Sequence, residues 1–88
     1  MGGGILPVAE RDGEIWFLLG REANGGQWSD FGGRSEAQET TFRTAVREGC
    51  EELDGFLGCA KYLGERVRRD LLMQVRVNSY TSFLFEVQ

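Results

Sequence analysis

One amphipathic segment, residues 40–54 (TTFRTAVREGCEELD), constrains the fold more than any other. Phe42, Ala45, Val46, Cys50 and Leu53 fall at i, i+3, i+4, i+8 and i+11, which draws one apolar stripe along a helix. Thr40 precedes the stripe as an N-cap whose hydroxyl can accept from a free amide. Asp54-Gly55 closes it, with Gly55 able to take the left-handed conformation of a C-cap. The same period sets Glu48, Glu51 and Glu52 at i, i+3 and i+4, on one face with neighbouring Cβ atoms roughly 5–6 Å apart. Stacked like charges destabilise a helix, so a cation is expected against them. Gly49 is the exception to the pattern: a glycine mid-helix costs about 1 kcal/mol relative to alanine.

Around this helix the chain reads as strands. Gly2-Gly3-Gly4 is a flexible start. Ile5 to Ala9 is an edge or bulged strand, because Pro7 cannot donate to a ladder. Asp12-Gly13 is a hairpin turn, and Ile15 to Leu19, unbroken apolar, reads as a strand buried on both faces. Arg21 to Gln27, with Asn24-Gly25-Gly26, is a loop, and Trp28 to Phe31 a short strand leading into Gly32-Gly33. Trp28 and Phe31 read as core anchors for that loop. Beyond the helix, Phe56 to Leu63 reads weakly as a strand and Glu65 to Asp70 as a charged, solvated turn. Leu71 to Val77 fits either period, and Tyr80 to Val87 is a strand, with Tyr80 a packing residue. The order predicts one α+β domain spanning residues 1–88.

Composition removes whole classes of chemistry. The chain has no histidine, so Ser-His-Asp triads, Cys-His nucleophiles and histidine metal sites are excluded together. A net charge of −4 argues against binding nucleic acid through its phosphates. Cys50 and Cys59 lack metal-ligand spacing, and Cys50 lies in the apolar stripe, so both read as inert thiols. With no long apolar run and no signal-peptide pattern, the expectation is a cytoplasmic protein with no membrane partner.

The stretch from Gly33 to Glu52 resembles the signature of the Nudix hydrolases, G-x5-E-x7-R-E-U-x-E-E-x-G-U, where U is a bulky aliphatic residue. Gly33, Glu39, Arg47, Glu48, Glu51 and Glu52 match its fixed positions without a gap. Trp28 and Phe31-Gly32-Gly33 are similar to the W-x-x-P-G-G approach, with Phe31 in place of proline, and Glu36 matches a common acidic position. Two positions depart: Gly49 replaces an aliphatic residue, and Asp54 stands where the late glycine belongs, followed by Gly55.

The resemblance implies an α/β/α sandwich with a mixed sheet, and metal-assisted hydrolysis of a phosphoanhydride in a nucleoside diphosphate linked to another moiety. It implies Glu48, Glu51 and Glu52 as ligands of Mg²⁺ or Mn²⁺, with Arg47 and Glu39 orienting them and Gly32, Gly33 and Glu36 completing the site. The implied partner is a small nucleotide-type molecule, a capped RNA end being the one nucleic acid in range. Two alternatives accompany this reading: a nucleotide-binding module of the same fold without turnover, and a truncated, weakly active fragment. The family's second helix is missing from the sequence as read. A sheet with one bare apolar face is expected to self-associate, so a homo-oligomer is the expectation.

Overall fold

The computed structural model describes residues 1–22 and 25–87; Asn24, placed in a loop by its sequence, lies outside them. The strands are β1 (Gly2–Arg11), β2 (Glu14–Phe17), β3 (Gly20–Arg21), β4 (Trp28–Ser29), β5 (Phe31–Arg34), β6 (Leu71–Val77) and β7 (Tyr80–Glu86). The helices are α1 (Thr41–Glu52) and α2 (Ala60–Arg69), both between β5 and β6. The main sheet is mixed, in the order β2-β1-β7-β6, with β5 also on β1; β3 and β4 form a separate ribbon. An α+β fold with a mixed sheet is what the sequence led us to expect.

β1 is the central strand, which corrects two expectations. Gly2 to Gly4 are buried in it, pairing β5 on one side and β7 on the other. Pro7 lies mid-sheet at the point where β1 changes partner: β5 pairs only as far as Ile5, and β2 begins at Val8. The Pro7 carbonyl accepts from Leu18 N–H at 3.0 Å, so the absent Pro7 N–H would have faced this same junction. The ladder to β7 therefore loses nothing. Asp12 and Gly13 turn with φ of 55° and 80°, the left-handed pair a two-residue hairpin demands.

α1 and α2 cover the same face of the sheet. Ile5, Phe31, Phe83 and Phe85 pack there against Ala45 and Val46 of α1 and Leu63 and Val67 of α2. Phe42 meets Phe83 edge-on at 5.3 Å between centroids. Thr40 caps α1, accepting from Arg43 N–H at 3.1 Å. Gly49 is explained by β1: a Cβ there would lie 2.5 Å from Ile5 Cδ1, so the glycine lets the helix settle onto a fully buried isoleucine. Asp54 takes φ 52° and Gly55 φ 76°, so both residues after Leu53 sit in the left-handed region that ends the helix.

α2 corrects the expectation of a missing second helix, as well as the strand and turn read over residues 56–70. Leu63 and Val67, four apart, form its buried stripe, and Arg66, Arg68 and Arg69 fill its last turn, where cations favour the helix dipole. Arg68 also lies over the Phe42 ring at 4.4 Å. The run of charge hid this short stripe. Cys59, immediately before α2, folds back on the last turn of α1 and forms a disulfide with Cys50, their Cα atoms 5.0 Å apart. The two cysteines are therefore paired and not inert thiols.

The other face of the sheet carries no helix among the described residues. Ile15 and Phe17 of β2 and Met73, Val75 and Val77 of β6 are exposed. This overturns the reading of Ile15 to Leu19 as buried on both faces: β2 ends the sheet, and all four of its residues are exposed.

Candidate active site

The C-terminal half of α1 faces β5 through Arg47, Glu48 and Glu52, and Arg47 is the hub between them. Its Nε donates to Glu39 Oε2 at 2.8 Å and its Nη2 to Glu39 Oε1 at 2.9 Å, a two-pronged pair. Nη2 also donates to the Arg34 carbonyl at 3.1 Å, tying α1 to the end of β5. Nη1 reaches Glu48 Oε2 at 3.3 Å and Glu51 Oε1 at 3.4 Å, with Glu36 at 3.9 Å. This guanidinium is the cation expected against the stacked carboxylates, and it meets two of the three, Glu48 and Glu51.

Glu39 is saturated with donors. Besides Arg47, it accepts from Glu36 N–H at 2.9 Å and Thr44 Oγ1 at 2.8 Å. The Arg47 hydrogen bonds, then that amide, hold its carboxyl down at about 2. Arg47 is raised in return, chiefly by Glu39. Thr44, fully buried, has one hydroxyl hydrogen to share between Glu39 Oε1 and the Thr40 carbonyl, at 2.8 and 2.9 Å, which leaves its oxygen free to accept from Ser35 Oγ at 2.6 Å.

The paired glycines serve the glutamates. A Cβ on Gly33 would sit 2.5 Å from Glu48 Cδ, so glycine leaves the space the carboxylate occupies beside the backbone. Gly32 N–H donates to Glu52 Oε1 at 3.1 Å. Partial burial raises the Glu52 carboxyl, the Gly32 amide opposes that, and repulsion from Glu48, Asp30 and Glu22 adds to the rise. Glu36 is mostly exposed and enters through its backbone amide as much as its charge.

Glu48, Glu51 and Glu52 therefore share one face, as their spacing requires, but they do not converge on a point. Among the described residues no group of three carboxylates or thiols is arranged as a metal cage. The donor set fits a hard divalent cation in type, being all oxygen. In position, Glu48 and Glu51 lean on Arg47 while Glu52 leans on Gly32.

Sequence reasoning missed a second cluster. Tyr80 Oη donates to Asp30 Oδ1 at 2.7 Å, and Ser82 Oγ bonds Asp30 Oδ2. Burial and the Asp30 bond push the Tyr80 hydroxyl far above its ordinary range. The cluster fixes the link between β4 and β5, and with it Gly32. The available signal was the density of glycines at 2–4 and 32–33, which leaves room for a large ring to cross two strands. An open cleft of about 840 Å³ runs from Arg21 and Ser29 past Asp30 and Tyr80 to Gly32 and Glu52. Phe31 is the core anchor that was expected, whereas Trp28 is 63% exposed.

No family model matches the sequence, and no curated protein matches it. The fold is similar to the crystal structure of C. elegans Ap4A hydrolase, with a TM-score of 0.64 and 16% identity over 97% of this chain. The chain spans about two thirds of that protein, 65% of its length. No helix among the described residues is long and apolar enough to cross a membrane. By its structural likeness to that enzyme, the fold of the chain is Nudix-like.

Proposed function

We propose that the chain is a metal-dependent hydrolase that cleaves a phosphoanhydride in a nucleoside diphosphate linked to another moiety. The observation that carries this reading is the Arg47–Glu39 clamp, which sets the glutamate face of α1 beside Gly32 and Gly33 of β5 at the end of an open cleft. Its likeness in fold to an Ap4A hydrolase supports the substrate class.

In this reading Glu48, Glu51 and Glu52 would hold Mg²⁺ or Mn²⁺ once their side chains turn from Arg47 and Gly32 toward the ion. Such an ion, when bound, offsets the charge of a diphosphate and makes a coordinated water acidic. The chain's own part is positional. Glu39 stays ionised to far below neutrality, so Arg47 remains locked and α1 keeps its rotation against β5. Gly33 admits the Glu48 carboxylate, and the Gly32 amide fixes one oxygen of Glu52. The Glu51 contact to Arg47 is long and exposed, so that carboxylate is the freest of the three to turn toward a cation.

The test is a panel of nucleotide-type diphosphates with and without Mg²⁺. Release of nucleotide or phosphate is expected with Mg²⁺ only, and Glu52→Gln should lose at least about 100-fold in rate while its melting curve stays intact. No turnover of any member by folded wild-type protein sinks the proposal. A second reading, a nucleotide-binding module without turnover, is favoured by one observation: Arg47 engages Glu48 and Glu51 together, and the three carboxylates stand apart. Calorimetry would then record binding without product.

A further inference from the structure

We propose that the β3–β4 ribbon is the recognition arm for a nucleobase, with Trp28 as its stacking platform and Arg21 as the group that fixes it. The scissile end of such a ligand rests on the hydrolase reading above; the stacking end does not.

Trp28 stands apart from the other exposed apolar side chains. Trp16, its nearest analogue, lies on β2 at the end of the main sheet. Trp28 lies instead on the ribbon whose residues Arg21 and Ser29 form one wall of the cleft ending at Glu52. Its ring is also held. The Arg21 guanidinium sits 5.7 Å from the ring centroid, within cation–π range, and Arg21 Nε donates to the Gly26 carbonyl at 3.2 Å. An exposed indole fixed in this way loses little freedom on binding, which is what a stacking platform needs.

Charge narrows the class of ligand. Beside Arg21, the cleft wall offers the carboxylates of Glu22, Asp30 and Glu52. A bare phosphate meets repulsion there, and Arg21 is the one cation lining the cleft among the described residues. A ligand with an uncharged planar ring can gain its affinity from Trp28, because stacking on an aromatic side chain is worth about 1–3 kcal/mol per base and tolerates every base. Arg21, at the junction of ribbon and cleft, then faces the phosphate next to that base. The ligand class is a nucleotide that enters ring-first on the ribbon and lays its phosphates toward Glu52.

Two measurements decide the matter. In a Trp16→Phe background, Trp28 is the only indole in the chain. Its fluorescence should be quenched by adenosine or guanosine monophosphate without any divalent ion, and not by ribose 5-phosphate. In turnover, Trp28→Ala should raise KM for a dinucleoside polyphosphate about 10- to 100-fold. Trp28→Phe, which keeps an aromatic face, should lose far less than Trp28→Ala. Absence of quenching by either mononucleotide overturns the inference, as does an unchanged KM in Trp28→Ala. Quenching in a protein that hydrolyses nothing supports the stacking site while removing the hydrolase reading, so the two failures are told apart.

Discussion

Arg47 grips Glu39 by both carboxylate oxygens, at 2.8 and 2.9 Å, and this pair joins the loop before α1 to the helix itself. Because the folded Glu39 carboxyl lies at about 2, below its ordinary value of 4.5, its contribution to stability is fully present above pH 4.5. That contribution is lost as pH falls toward 2. Thermal melts between pH 2 and 6 should show this loss, and Glu39→Gln should flatten it. An identical acid limb in both proteins would show that the pair does not couple to folding.

Gly49 sets the spacing between α1 and β1. Replacing it with leucine restores helix propensity but drives a side chain into Ile5, and overpacking of this kind costs about 1–3 kcal/mol. Gly49→Leu should therefore lower the urea midpoint and weaken exchange protection at the Gly32 amide, which is bonded to Glu52. A more stable variant with an unchanged Gly32 amide would show that the core yields to the larger residue.

The Cys50–Cys59 bridge closes a short loop, with a sequence separation of 9, and such a link contributes about 2–3 kcal/mol. For a chain of this size its reduction should lower Tm by about 10–20 °C. The double variant Cys50→Ser/Cys59→Ser should start at the lower Tm and ignore reductant. Equal Tm values with and without reductant would mean the bridge adds nothing. In a reducing compartment the lower value is the relevant one.

The sheet face without a helix and the outer edge of β6, unpaired among the described residues, favour association with a second copy, since antiparallel pairing of one edge with itself is self-complementary. Sedimentation should shift with concentration in the micromolar range, and Val75→Lys should reduce the shift. A single monomeric species at all concentrations ends this expectation.

The elements that were legible in the sequence were those whose period and caps agree: α1 with its Thr40 cap, the Asp12-Gly13 hairpin and β7. The charge constellation was legible for the same reason, since spacing on a helix fixes which side chains are neighbours. What escaped depends on contacts between distant residues. Pro7 reads as an edge residue until β5 and β2 are seen to divide β1 between them. The Asp30–Tyr80 bond joins residues fifty positions apart, and no local pattern marks it. Trp28 has the same composition signal as a core anchor, and only its exposure separates it from Phe31.

Arg47 also has a kinetic consequence. Four carboxylates, from Glu36, Glu39, Glu48 and Glu51, lie within ion-pair reach of this one guanidinium, leaving a local surplus of negative charge that extends to Glu52. An anionic visitor diffusing toward this field is turned away before contact, and the barrier shrinks as salt shortens the reach of the field. Encounter with a polyphosphate should then be ordered in time. The counter-ion arrives first or travels with the phosphates as a neutralised complex, and in its absence added salt speeds capture instead of slowing it.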